Sequence, residues 1–414
     1  MFDLVLANAR IDGASEPLDI GIARGRIEAL ERGLAGRGPT IALSGRYAFP
    51  GFVETHIHLD KAGILGRCPI CEGTLSEAIA LSAAAKPGFT EADVFERASR
   101  VLERAIGHGT TLLRTFVEVD PRAGLRSLAA ILRLRETYAS LIEIEICAFA
   151  QEGLTQEMET YALLEAALEQ GADLVGGCPY TDPDPARHVT LIFDLAQKYD
   201  VAVDFHIDFD LRPEASNLGP VIAETHRRGY QGRVSIGHAT SLSALPPEAL
   251  AGLSGRLAEA GIALTVLPAT DLYINGRDST HLVPRGVAPA HAMAGMTRAI
   301  ATNNVLNPFT PFGDASLLRM ANLYANLAQL GGDAALADVF GMVGAEAARL
   351  MGRSYGLAPG GPATLVVLDA PDAITALREL AQPLAGWKDG HQTFRRPTPE
   401  VYLDGAGITP VNSL

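Results

Sequence analysis

The chain of 414 residues is 48% hydrophobic and 20% charged, which excludes a disordered or collagen-like protein and fits one large α/β unit with a smaller companion. Its formal net charge of −14 argues against nucleic acid or an anionic membrane as the main partner. Four Cys are too few for a disulfide scaffold and no apolar run approaches the ~20 residues of a spanning helix, so a cytoplasmic location is expected.

The first 50 residues read as short strands, with Leu4-Val5-Leu6 and Ile20-Gly21-Ile22 as apolar runs between glycines. From there the pattern alternates. Strand-like runs fall at 52–55, 111–119, 142–150, 173–175, 201–207, 233–238, 262–267 and 296–302. Helical spacing separates most of them: Val94, Ala98, Val101, Leu102 and Ala105 share one face, as do Tyr161, Leu164 and Leu168. Near the end, 363–368 is another strand, set between Gly360-Gly361-Pro362 and Pro371. Eight alternations predict a (β/α)8 barrel over 51–354, flanked by β-rich segments at 1–50 and 355–414. A doubly wound sheet would want a Gly-rich phosphate loop after its first strand, and none is present.

In such a barrel the chemistry sits at the C-terminal ends of the strands. His56 and His58 end the first run, Gln151 the third, His206 and Asp208 the fifth and His238 the sixth; Asp271 follows the seventh, and Asn303 and Asn304 end the eighth. Side chains alternate along a strand, so His56 and His58 share a face and can reach one metal ion. By the same alternation Asp208 shares the face of His206. One His-x-His is a weak signal, and a lone His at a strand end is more often a hydrogen-bonded core residue than a ligand. Their joint occurrence at successive strand ends reverses that judgement.

The stretch Pro50-Gly51-Phe52-Val53-Glu54-Thr55-His56-Ile57-His58-Leu59-Asp60-Lys61 resembles the opening motif of the amidohydrolase superfamily, in its cytosine deaminase-like group, which also holds aminohydrolases of triazine breakdown. Phe149-Ala150-Gln151-Glu152-Gly153 and Asn307-Pro308-Phe309-Thr310-Pro311-Phe312-Gly313 are similar to two further motifs of that group. The resemblance runs nearly end to end, and it implies that the terminal segments pair as one small β-sandwich. It also implies that His56, His58 and His206 are metal ligands and that His238 faces substrate and water. Gln151 would read an amide-like edge, with Phe149 and Phe309 as pocket walls. A bridging carbamylated Lys would belong on the fourth strand. The segment there is Leu174-Val175-Gly176-Gly177-Cys178, so a single metal is expected.

Two departures stand out. Ungapped alignment puts Asn303 where the group has a metal-touching Asp, with Asn304 and Asn307 at neighbouring acid positions, and Phe209 where it has a proton-shuttling Glu. An amide oxygen can ligate a metal but cannot take a proton from water. Asp208 is the expected substitute acid and metal affinity is expected to be weakened. Lys61 and Asn304 are further pocket candidates; Cys68-Pro69-Ile70-Cys71 is read as structural, lacking a second pair at zinc-ribbon spacing.

The resulting expectation is a hydrolase with one divalent ion, zinc first and iron second. It would cleave a C–N bond of a small, cyclic, nitrogen-containing compound other than cytosine. The alternatives are a lyase or isomerase that has dropped the conventional metal site, and a ligand-binding pseudoenzyme. A small-molecule substrate is expected, no nucleic acid or membrane partner is, and a homo-oligomer is left open.

Overall fold

The computed structural model describes residues 1–277, 286–397 and 399; His281 and the chain beyond 399 lie outside the described residues. Five strands come first: β1 (Leu4–Ala9), β2 (Leu18–Ala23), β3 (Arg26–Glu31), β4 (Thr40–Ala42) and β5 (Tyr47–Phe49). Eight parallel strands follow: β6 (Phe52–Ile57), β7 (Thr110–Glu118), β8 (Glu143–Ala150), β9 (Leu174–Gly177), β10 (Ala202–Ile207), β11 (Val234–His238), β12 (Ile262–Val266) and β13 (Arg298–Ile300). The chain ends with β14 (Leu365–Leu368), β15 (Pro383–Lys388) and β16 (His391–Arg395).

β6 to β13 pair in sequence order as one sheet. The sheet closes on itself just past its last strand, where His58 N donates to Asn303 O (2.9 Å) and Asn303 N to His56 O (2.8 Å). The expected (β/α)8 barrel is the observed fold. Closure matters for function, because those two bonds bring the ends of the first and last barrel strands together. The run read at 52–55 extends to Ile57, which carries His56 inside the barrel wall. The run read at 296–302 contracts to β13, and the polar Thr302-Asn303-Asn304 segment becomes the rim.

The helices follow from their apolar stripes. That over Glu91–Gly107 buries Val94, Ala98, Val101, Leu102 and Ala105 against the barrel. Thr90 caps it by accepting from Asp93 N. The helix over Pro185–Tyr199 starts on a Pro, whose missing N–H costs nothing at that position, and is capped by Asp184.

The terminal strands form two sheets, ordered β3-β2-β1-β4 and β16-β15-β14-β5. Leu6, Ile20, Ile22 and Ile27 from one sheet share a core with Ala48, Leu365, Val367 and Trp387 from the other. Two β layers facing one apolar interior make a sandwich beside the barrel.

Candidate active site

The barrel brings the three imidazoles together from two opposite walls. Nε2 of His206, on β10, lies 3.1 Å from Nε2 of His56 and 2.9 Å from Nε2 of His58. All three rings are buried, and their Nδ1 atoms have no partner. Burial lowers each pKa well below the ordinary histidine value, with the other rings and Lys61 adding to it, so the imidazoles are neutral. A neutral Nε2 offers one lone pair or one proton. That of His206 therefore cannot satisfy both neighbours, whereas a cation among three lone pairs can. One candidate ligand atom from each of the three lies within 4.8 Å of the others. The donor set, three neutral nitrogens, suits a borderline divalent ion.

A bridging lysine at either glycine of β9 is blocked by its neighbours. A Cβ at Gly176 would stand 1.9 Å from Asp204 O, and one at Gly177 would stand 2.2 Å from His188 Nε2. β9 thus has no room for a side chain at either position.

His238 faces the cluster from the end of β11, its ring centroid 5.3 Å from that of His206. Its Nδ1 is 2.7 Å from Oδ1 of Asp271, a fully buried acid that burial pushes above the usual carboxylate range. Phe209 stacks on its face, centroids 3.9 Å apart. Asn303 Nδ2 is 3.5 Å from its Nε2, and Asn303 Oδ1 is buried with no partner.

The second wall is polar and charged. Lys61 is buried, forms an ion pair with Glu118, donates to Gln151 Oε1 (3.1 Å) and stands 4.2 Å over the Phe309 ring. Gln151 Nε2 points to Cys178 Sγ at 3.2 Å. With one edge on a cation and the other on sulfur, the Gln151 amide has a single orientation. Phe149 packs under the imidazoles, 4.1 Å from the His206 ring. Phe209 and Phe309 share an apolar cluster with Ala78 and Ile274. Asn304 Oδ1 accepts from Asn307 Nδ2, and Asn307 Oδ1 in turn accepts from Phe309 N and Thr310 N, so these two amides shape the turn that carries Phe309.

Asp208 is not where alternation put it. β10 ends at Ile207, and Asp208 has a φ of 47°, which breaks the strand's period. Its carboxylate instead accepts from Asn217 N (2.8 Å), Ser216 Oγ and Ser241 Oγ, anchoring the loop after β10. Both carboxylate oxygens are committed there, so Asp208 anchors this loop and is not the substitute acid. Cys68 and Cys71 are free thiols, the first buried and the second exposed. The loop between them and the next helix is held by Glu77, which accepts from Cys71 N, Glu72 N and Gly73 N.

Sequence reasoning gave no role to four buried groups that support this site. Asp271 was marked only as a strand-end polar residue. Glu118 lay inside an apolar run and Glu54 inside the first motif. Glu54 accepts from His56 N and Thr302 N, and burial lifts its pKa to about 7. Lys86, in a short turn between helices, binds Glu118, Asp120 and Glu152 at 2.6–2.7 Å. The available signal was a charged residue in an apolar context, which almost never goes unpaired.

Comparison with known proteins gives the same picture. The Amidohydrolase family model matches residues 39–394. N-isopropylammelide isopropyl amidohydrolase of Pseudomonas sp. (strain ADP) is 29% identical over 94% of this chain and 96% of its own. The structure of 5-methylcytosine deaminase from Klebsiella pneumoniae with phosphonocytosine superposes with a TM-score of 0.91 at 29% identity, over 96% of this chain and all (100%) of the other. That of N-isopropylammelide isopropylaminohydrolase from Burkholderia multivorans does so with 0.83 at 30%, over 99% and 100%. Motifs, closed barrel and match over most of the length agree, and the chain belongs to the amidohydrolase family.

Proposed function

We propose that the protein hydrolyses a C–N bond in a small, cyclic, nitrogen-containing compound, using one divalent ion held by His56, His58 and His206, zinc first and iron second. The observation that carries this reading is the convergence of three neutral Nε2 atoms at the mouth of the barrel. The similarity to a hydrolase of N-isopropylammelide and to a 5-methylcytosine deaminase supports the substrate class. Such an ion, bound there, would supply Lewis-acid activation of water near neutral pH.

The chain's own residues do the rest. Gln151 and Lys61 bind the polar edge of a flat ring, while Phe149 and Phe309 bound the pocket. His238, held by Asp271 at Nδ1, accepts a proton at Nε2. Phe209 covers that imidazole and keeps bulk water from it. With Asn303 and Phe209 in place of two carboxylates, neither side chain can deliver a proton to the ring. Cytosine, whose deamination needs one, is therefore expected to be a poor substrate or none. The leaving group takes its proton back from His238 instead.

The test is turnover of alkylamino-triazinones, pterins, cyclic amides and cytosine by the native chain, the chelator-stripped chain and the stripped chain reloaded with zinc. Turnover of a ring compound that is lost on stripping and regained on reloading is the expected result. Turnover that survives stripping would replace this reading with the lyase or isomerase one.

A further inference from the structure

Through His238, the buried Asp271 bears on a residue that it does not itself touch. An ionised Asp271 can only accept, so the Nδ1 of His238, 2.7 Å from Asp271 Oδ1, bears the hydrogen. Asp271 is locked in turn, its Oδ2 accepting from Leu267 N at 3.3 Å. With the hydrogen on Nδ1, the imidazole has its lone pair at Nε2. The atom beside that lone pair is Nδ2 of Asn303, at 3.5 Å, which is a donor. Were the Asn303 amide turned over, its oxygen would face the lone pair, acceptor against acceptor. The amide oxygen is accordingly the free end. Oδ1 of Asn303 is buried without any partner, on a residue whose backbone is bonded to His56 and His58. An unpartnered buried acceptor is costly unless something occupies it.

We propose that Asp271 is a positioning residue that holds His238 as the Nδ1–H tautomer and, through it, turns the Asn303 amide so that its oxygen completes the ligand set of His56, His58 and His206. This rests on the metal reading above for its last step and on geometry alone for the first two. It assigns Asp271 a task peculiar to this chain. A carboxylate at 303 would offer oxygen whichever way it turned, and only an amide needs to be told which end to present.

The experiment uses the full chain and zinc as the probe. Ring nitrogen shifts of histidine-labelled protein, with His238 identified by its loss in His238→Gln, report the tautomer without zinc. Competition titration reports zinc affinity. The native chain is expected to show Nδ1–H. Asp271→Asn should shift His238 toward Nε2–H, since an amide can donate where the carboxylate only accepted. It should also weaken zinc binding about 10- to 100-fold, the usual effect of losing a group that orients a metal ligand. In the Asn303→Asp background the same substitution should leave zinc affinity within about twofold, because the oxygen no longer has to be chosen. Equal losses in both backgrounds would overturn the proposal and make Asp271 a support for the fold only. A native chain with Nε2–H on His238 overturns it as well, and that measurement needs no variant to fold. A native chain that shows Nδ1–H but binds no zinc would keep Asp271's hold on His238 while ending the metal reading.

Discussion

Phe209 lies almost parallel to His238, with 26° between the ring planes and 3.9 Å between centroids. At the position where the resembled group carries a proton-shuttling Glu, an apolar ring covers the imidazole. Restoring one acid should therefore not restore ring protonation. Phe209→Glu and Asn303→Asp are each expected to leave cytosine turnover undetectable, while the double variant gains it, since general acid–base groups contribute typically ~10²–10⁴-fold each. Initial rates on cytosine with the three variants decide this. Turnover by the native chain would show that Phe209 does not occupy that position.

Asn303→Asp adds a charge beside three neutral nitrogens. Zinc affinity should rise at least about tenfold, because a carboxylate binds a divalent ion better than an amide does. Excess zinc at ~100 times Kd should also stabilise the native chain by ~2.7 kcal/mol, and a His206→Ala chain by none. Thermal melts with and without zinc measure both. Unchanged affinity in Asn303→Asp would place residue 303 outside the ligand set.

Gln151 bridges Lys61 and Cys178 and has one N–H and one lone pair left for a ligand. Gln151→Ala should weaken substrate binding by about one to two decades, the equivalent of ~1–3 kcal/mol for partners left unpaired. Calorimetry with whichever ring compound the native chain turns over, alongside an unfolding curve to verify the fold, provides the check. Equal affinity in mutant and native chains would remove Gln151 from the pocket.

Glu54 gives a pH signature. Its pKa is about 7 in the fold, against an ordinary value of 4.5, chiefly because burial disfavours the charge. Between those values the folded chain holds a proton that the unfolded chain has released, so stability falls as pH rises through that window and is level above it. The full effect is ~3 kcal/mol. Glu54→Gln cannot ionise and should lack this component. The difference between the two chains in urea melts should grow from pH 4.5 to pH 7.5, and a difference independent of pH would rule the argument out.

Lys86 holds together Glu118, Asp120 and Glu152. Burial alone would lower its pKa, but the three carboxylates raise it, so it stays charged. Lys86→Met leaves those acids without their common partner and should destabilise the chain by ~3–5 kcal/mol. It should also loosen Lys61, which shares Glu118, and so raise KM more than it lowers kcat. A loss below ~1 kcal/mol in urea unfolding would contradict the buried network.

Much of this molecule was legible before any coordinates. Eight runs of β-type residues alternating with helical spacing specified the barrel, because each periodicity reports a local geometry. The rule that barrel chemistry lies at strand ends then picked out His56, His58, His206, Gln151 and His238. Asp208 failed for a local reason of the opposite kind. One left-handed residue after β10 ended the alternation, and nothing in the letters Ile207-Asp208-Phe209 marks where a strand stops.

Pairings between distant residues were beyond the sequence. Period and composition describe a residue's own element, but Asp271 with His238, Lys61 with Glu118 and Gln151 with Cys178 join different strands and loops. Such contacts depend on barrel closure and on the side-chain torsions it permits. The sequence by itself determined the barrel and the placing of His56, His58, Gln151, His206 and His238 at its strand ends. Only the tertiary structure decided which atoms of theirs meet, because hydrogen-bond partners are chosen by distance and direction in space, and a buried donor or acceptor must take whatever the closed barrel sets beside it.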